Sequence, residues 1–403
     1  MSDAIDSAAR NRAAVAEVFW AFFKLGLTSF GGPVAHLSYF REEFVGRRQW
    51  LHEEAYADIV ALCQFLPGPA SSQVGAALGF LRAGFLGGLA AWAAFTLPSA
   101  LALIVFAYGI AGLGDLSHLA FLHGLKIVAV AVVAQAVWNM AKTLCPDRTR
   151  ASLAVAATVL TLSVPTAAGQ IGAIVAGGIF GWLFLSGAAE ARPGVLPAPV
   201  PRRVAVGALA LFLGLLLGLP LLAQATSSHA LALFDAFYRS GALVFGGGHV
   251  VLPLLQQAVV APGWIGNDAF LAGYGAAQAV PGPLFTFAAY LGTAMTAAPN
   301  GFLGGLFCLV AIYLPSFLLL IGVLPFWERL RHRAGVRSAL QGVNAAVVGL
   351  LLAALYNPVW TSAIFSARDF GLALVALLLL AWWKTPPWLV VVLGATVASV
   401  LAP

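Results

Sequence analysis

The chain has 403 residues, of which 61% are hydrophobic and 9% charged, whereas an ordinary soluble domain carries about a quarter charged residues. With 43 Gly, 22 Pro, 27 Phe and 11 Trp and a mean hydropathy of +0.93, it has more apolar surface than one core can bury, and many of its apolar runs approach the ~20 residues that cross a bilayer. These figures exclude a soluble globular fold, a disordered chain, a nucleic-acid-binding domain and a disulfide-stapled secreted module. The formal charge of +6 is therefore read as membrane topology, in an all-α polytopic membrane protein.

In chain order, helices are predicted at 13–30 and 33–45, flanking Gly31-Gly32-Pro33, and at 54–66 and 69–82, flanking Pro67-Gly68-Pro69. Longer apolar segments follow at 84–111, 117–144, 149–164 and 166–187, and then a Pro, Arg and Gly-rich linker at 188–203. After a helix at 203–224, further helices are predicted at 228–245, 249–260, 267–280, 283–298, 300–324, 338–357, 367–383 and 385–401. The N-terminal stretch with Asp3, Asp6, Arg10 and Arg12 lacks the features of a signal peptide and is expected to stay attached. Cys63, Cys145 and Cys308 are too far apart to suggest a disulfide framework or a metal site.

The second series of helices repeats the first. Ala21 to Gly26 followed by Phe30-Gly31-Gly32 recurs as Ala236 to Gly241 followed by Phe245-Gly246-Gly247, at an offset of 215. Trp50 matches Trp264, and Gln64 to Pro69 match Gln278 to Pro283, at 214. Phe85 to Gly88 recur as Phe302 to Gly305, and Leu97-Pro98-Ser99 as Leu314-Pro315-Ser316, at 217. The expected organisation is a first repeat at 1–187, a linker and unpaired transmembrane helix at 188–227, and a second repeat at 228–403.

A 13-residue helix is about 20 Å long at 1.5 Å per residue, against about 30 Å of hydrocarbon. The short segments are therefore expected to enter and return as broken or re-entrant pairs, their freed backbone groups buried in protein or lining a wet cavity. If each pair returns to its own side, Arg10, Arg12, Arg41, Arg47, Arg48, Lys142, Arg148, Arg150, Arg192, Arg202 and Arg203 share one side, which the positive-inside rule makes cytoplasmic. The unpaired helix then starts the second repeat outside. Its stretch from Gln256 to Asp268 has no Lys or Arg, whereas Arg329, Arg331, Arg333 and Arg337 fill a loop whose first-repeat equivalent, Gly112 to Ser117, carries only Asp115. This distribution predicts inverted repeats, with the N-terminus cytoplasmic and the C-terminus external.

Interrupted helices in inverted repeats place a site near the midplane, where half-helix N-termini favour an anion. Pro69 opens a helix with Ser71 and Ser72, and Pro283 opens one with Thr286, the equivalent of Ser72 at 214. These hydroxyls and the flanking Gln64 and Gln278 are candidate substrate donors, although Ser and Thr in such places also serve simply as caps. Lys24 and Arg239 sit six residues before the Phe-Gly-Gly breaks, and a cation inside a membrane segment costs at least ~2.5–3.5 kcal/mol unless paired or hydrated. They are candidate anion-attracting charges; the structural alternative pairs Lys24 with Glu17 and Arg239 with Asp235. Lys126, whose equivalent is Asn344, is a secondary candidate, and Arg82 has the plainer role of complementing a helix C-terminus. His36 and His249 each follow a break but are not strict equivalents. No catalytic constellation is present, so the chain is not expected to be an enzyme or to need a cofactor.

Phe30 to Pro33 with Trp50 and Gln64 to Pro69, and Phe245 to His249 with Trp264 and Gln278 to Pro283, resemble the chromate ion transporter family in its long form with two homologous domains. The likeness extends over nearly the full chain. It implies a multi-pass bacterial inner-membrane carrier that exports chromate and confers resistance, and a transport role for the motif residues Phe30, Gly31, Gly32, Pro67, Gly68, Pro69, Phe245, Gly246, Gly247, Pro281, Gly282 and Pro283 and for the basic residue before each break. Export suits the physics, since an inside-negative potential is worth about 2.3 kcal/mol per charge per 100 mV. The competing readings are a sulfate or other oxyanion carrier and a membrane enzyme acting on a phosphorylated lipid. The expected partners are the oxyanion, the bilayer and, in a homodimer, a second copy, with no nucleic acid.

Overall fold

Glycine and proline runs cut several of the chain's helices too short to cross a bilayer alone, and the fold is the way those pieces find partners. The computed structural model describes residues 2–112, 120–186 and 200–401, with side chains from residue 12 to residue 400 of these stretches. Every regular element among them is helical. The first half comprises α1 (Ser2–Thr28), α2 (Gly32–Arg41), α3 (Glu53–Phe65), α4 (Ala70–Ala111), α5 (Ala120–Leu144), α6 (Arg148–Ser163) and α7 (Ala167–Phe184). After α8 (Arg202–Thr226), the second half comprises α9 (His229–Ala242), α10 (Val251–Leu255), α11 (Asn267–Ala277), α12 (Phe287–Ala294), α13 (Gly301–Val323), α14 (Trp327–Arg331), α15 (Ala334–Ala354), α16 (Ala367–Ala381) and α17 (Pro387–Leu401). Six of the described helices are long and apolar enough to span a membrane, which makes this a multi-pass membrane protein. Most of the linker expected at 188–203, including Arg192, and the loop with Asp115 and Ser117 lie outside the described residues.

The breaks fall where the glycines stand, and they adopt the left-handed backbone in both halves: φ is 98° at Gly31 and 73° at Gly246, and 116° at Gly68 and 90° at Gly282. The short helices on either side enter and return. Glu17 on α1 accepts hydrogen bonds from the Trp50 indole at 3.2 Å, from Arg48 at 3.4 Å and from Arg82 at 2.8 Å. The middle of α1, the end of the α2 segment and the end of the first part of α4 therefore lie at one level. Trp264 gathers the equivalent points of the second half: the His229 ring packs edge-on at 4.9 Å, and Thr296 donates to the Trp264 carbonyl at 3.4 Å from its amide. Helix α4 then bends at Ala83 and Gly84. The chain folds back there so closely that a Cβ on Gly79 or Gly87 would collide with the other residue's carbonyl, as Gly292 and Gly304 do in the second half.

The halves interlock through their long helices. Helix α5 packs against α16 and α17, and α15 packs against α6 and α7. Glycines make this closeness attainable: Gly124 abuts Gly394, and Gly342 abuts Gly177. Gly124 and Gly342 are repeat equivalents, and so are Gly177 and Gly394, so the two contacts are one contact made twice. The register is antiparallel, Gly177 meeting Ala346 while Gly181 meets Ser338. Helix α8 breaks the symmetry by covering α9 and α13, with the Tyr238 hydroxyl donating to the Phe212 carbonyl at 3.0 Å and Leu209 lying on Gly322. In the first half the matching face is bare: Val105, the equivalent of Gly322, is 69% exposed.

Replacing Gly342 with Val puts a side chain into the Gly177 carbonyl and is expected to cost ~1–3 kcal/mol or more. Gly207→Val meets nothing within 4 Å and serves as the control. Thermal unfolding of the detergent-solubilised proteins checks this; equal midpoints for the two variants would contradict the interlock.

Candidate functional site

A helix interrupted inside hydrocarbon leaves backbone groups that water cannot reach, each costing several kcal/mol if unpaired. Here each half supplies the missing partner of the other. The Gly68 amide donates to the Val244 carbonyl at 2.7 Å, and the Gly282 amide donates to the Ser29 carbonyl at 2.8 Å. Ser29 and Val244 are repeat equivalents, as are Gly68 and Gly282, so the Phe-Gly-Gly break of each half is bonded to the Pro-Gly-Pro break of the other. Pro33 and Gly248 complete the meeting point, the proline ring lying 3.8 Å from where a Gly248 Cβ would stand.

The Leu-Pro-Ser motifs hold this junction, a role that sequence recurrence marked without explaining. The Ser99 hydroxyl donates to the Pro281 carbonyl, and a Cβ on Gly282 would strike that hydroxyl. Ser316 packs in the same way on Gly68, at 2.7 Å from a notional Cβ, while its hydroxyl turns to the Tyr313 carbonyl at 2.6 Å. Gln73 adds a clasp, donating to the Pro67 carbonyl at 2.9 Å.

Around the junction lies a buried polar group of residues that includes Ser29, His36, Ser71, Ser72, Thr96 and Thr286. The His36 ring nitrogens stand 3.4 Å from the Ser71 hydroxyl and 3.2 Å from the Ser29 carbonyl. Ser72 donates to the Tyr313 hydroxyl at 3.5 Å, across the halves. Its repeat equivalent behaves otherwise: Thr286 donates to the Pro283 carbonyl at 2.8 Å and caps its own break. His249 bonds Tyr274 at 2.8 Å.

The structure thus gathers Gly31, Gly32, Pro67, Gly68, Pro69, Ser71, Ser72, Gly246, Gly247, Pro281, Gly282, Pro283 and Thr286 at or beside the breaks. The Phe30 ring lies 6.3 Å from that of Trp388 on α17, and Phe245 is half-buried against the core. Gln64 is exposed at the last turn of α3, whereas Gln278 is half-buried with an unpartnered side-chain nitrogen. Lys126 is buried in α5 and pairs with Asp268 of α11 at 2.9 Å. Arg82 pairs with Glu17.

The two basic residues expected to act together part company. Arg239 is ion-paired with Asp235, and both line a cavity of about 550 Å³ with Ser240, Gln170, Gln224 and Gln257. Lys24 is exposed on α1, on the face that carries Trp20 and Leu27, and Glu17 is occupied by Arg48, Trp50 and Arg82. The reason is α8, which roofs the cation of the second half and has no counterpart over the first. What the structure offers chemically is a set of hydrogen-bond donors at a joint between two halves and, lining a cavity against α8, one ion-paired cation.

The family model described as "Chromate transporter" matches residues 16–182 and 231–399, which are the two halves seen here. A "Probable chromate transport protein" of Synechococcus elongatus is 27% identical over 93% of this chain and 92% of its own length. A "Chromate transport protein" of Pseudomonas aeruginosa is 30% identical over 83% of this chain and 79% of its own, and one of Cupriavidus metallidurans is 25% identical over 94% and 91%. No solved structure matches the chain significantly.

Gly282→Ala forces a side chain into the left-handed region, at ~1–2 kcal/mol, and onto Ser99. A lower thermal midpoint than that of Gly214→Ala, which meets nothing within 4 Å, is the expected result in a melting assay.

Proposed function

Because the chain belongs to the chromate transporter family, we propose that it carries chromate, a tetrahedral dianion, out of the cell across the bacterial inner membrane and so confers resistance. The observation that carries this reading is the reciprocal bonding of the four breaks. It joins two halves at a hydrogen-bonded junction beside buried hydroxyls, as a carrier with a central site requires.

The halves are inverted in this reading. Short turns join α5 to α6 and α6 to α7, so α5 and α7 run the same way, while α15, the equivalent of α5, packs antiparallel to α7. Ion pairs fit the same arrangement. Arg331, in the arginine-rich loop, binds Asp58 of α3 at 3.0 Å on the cytoplasmic side, and Lys126 binds Asp268 on the external side. Both pairs join one half to the other, and their alternate opening gives the substrate access first from within and then from outside. The N-terminus is then cytoplasmic and the C-terminus external.

Arg239 supplies the charge. A dianion approaching the cavity competes with Asp235 for the guanidinium, so the pair both stabilises the empty protein and attracts the substrate. Export gains about 2.3 kcal/mol per charge per 100 mV from an inside-negative potential, roughly twice that for a dianion.

In proteoliposomes under an imposed potential, the wild type is expected to move chromate, with sulfate as the competitor that tests substrate preference. Arg239→Ala should lower chromate flux at least tenfold, Arg239→Lys should retain part of it, and the exposed Lys24→Ala should remain near wild type. Undiminished flux in Arg239→Ala removes the arginine from the mechanism; absence of chromate flux in the wild type removes the function itself.

A further inference from the structure

Beside the junction, two hydrogen-bonding groups have no partner although both are sealed from solvent. Trp92 and Thr96 stand one turn apart on α4, at the spacing that places side chains on one helical face. The Trp92 indole nitrogen and the Thr96 hydroxyl are buried and make no hydrogen bond, and Thr96 is 1% exposed. Both face α13. The Trp92 ring lies 5.6 Å from that of Tyr313, in edge contact, and the Tyr313 hydroxyl stands near Thr96. On the far side, Ser72 reaches the same Tyr313 hydroxyl only at 3.5 Å, the outer limit of a hydrogen bond.

Position makes this group special. Thr96 and Tyr313 are repeat equivalents at the offset of 217 that relates the Leu-Pro-Ser motifs following them, so the same place in each half meets its counterpart here. Ser72, Trp92 and Thr96 belong to the first half and Tyr313 to the second. Any movement of one half against the other changes the distances among them.

We propose that Trp92, Thr96, Tyr313 and Ser72 form the site that holds the oxyanion in transit, a deepening that rests on the chromate-carrier reading above. Buried polar groups in proteins are nearly always satisfied, and leaving one unpaired destabilises the fold. Two such groups one turn apart, beside a loosely bonded pair of hydroxyls, therefore fit a ligand that supplies acceptors. A tetrahedral oxyanion supplies them at all four corners. The indole N–H can only donate, so the corner it meets must be an unprotonated oxygen, which chromate and sulfate offer at every corner. The neutral donors orient the ion without holding it so tightly that it cannot leave.

The test uses the purified full-length protein, with chromate and sulfate binding followed by calorimetry and chromate flux in proteoliposomes. Thr96→Val exchanges only the unpaired hydroxyl for a methyl group and is expected to keep or raise the thermal midpoint, whereas Trp92→Phe also removes part of a ring packed on Tyr313 and Phe317 and is expected to lower it modestly. Their affinity for chromate should fall at least tenfold and their KM rise correspondingly. Trp138→Phe, at an exposed position on α5, should bind like the wild type. Unchanged affinity in both site variants overturns this site while wild-type flux upholds the carrier reading. A marked loss of stability in Thr96→Val overturns the premise that its hydroxyl is unpaired, and a wild type that binds neither ion overturns the site and the carrier together.

Discussion

An interrupted helix in a membrane must find partners for the backbone groups that the interruption frees. In this protein that constraint is met between halves: the carbonyl left open at each Phe-Gly-Gly break accepts the amide presented at the opposite Pro-Gly-Pro break. The requirement for left-handed glycines follows, because only there does the chain turn sharply enough to bring an amide to the other half. The tight seats of Ser99 and Ser316 on Gly282 and Gly68 follow too. Neither half is complete alone, since its own breaks would stay unsatisfied.

The same reciprocity governs the periphery. Each half lends its last two helices to cradle the long helix of the other, through glycine pairs that permit backbone contact. Helix α8 departs from the pattern. By covering one flank only, it lines a cavity beside Arg239 and leaves Lys24 at the surface, so two positions alike in sequence differ in electrostatic environment.

Much of this was legible from residues. The breaks at Gly31, Gly68, Gly246 and Gly282, the pairing of short helices and the match of Trp50 with Trp264 were readable because length, glycine and proline act locally. The separation of Lys24 from Arg239 was not, since it depends on where α8 lies, a tertiary fact that no spacing records. Thr286 and Ser72 likewise looked interchangeable, yet the 3₁₀ turn at Leu284–Thr286 turns one hydroxyl back on its own break, while the other, in a regular helix, is free to face Tyr313. Gln64 lies outside the cluster of breaks because it falls on the outer face of the last turn of α3. The clamp role of Ser99 and Ser316 was marked only by recurrence, for a serine inside an apolar helix gives no hint of the carbonyl it will meet in the other half.

The embrace of α5 by α17 has a consequence for biogenesis. Gly124 leaves the ribosome about 270 residues before Gly394, the residue it packs against, an interval of roughly 14–54 s at ~5–20 residues per second. Throughout that time α5 lacks the neighbour that Gly124 is shaped to meet, so this contact forms only when α17 arrives.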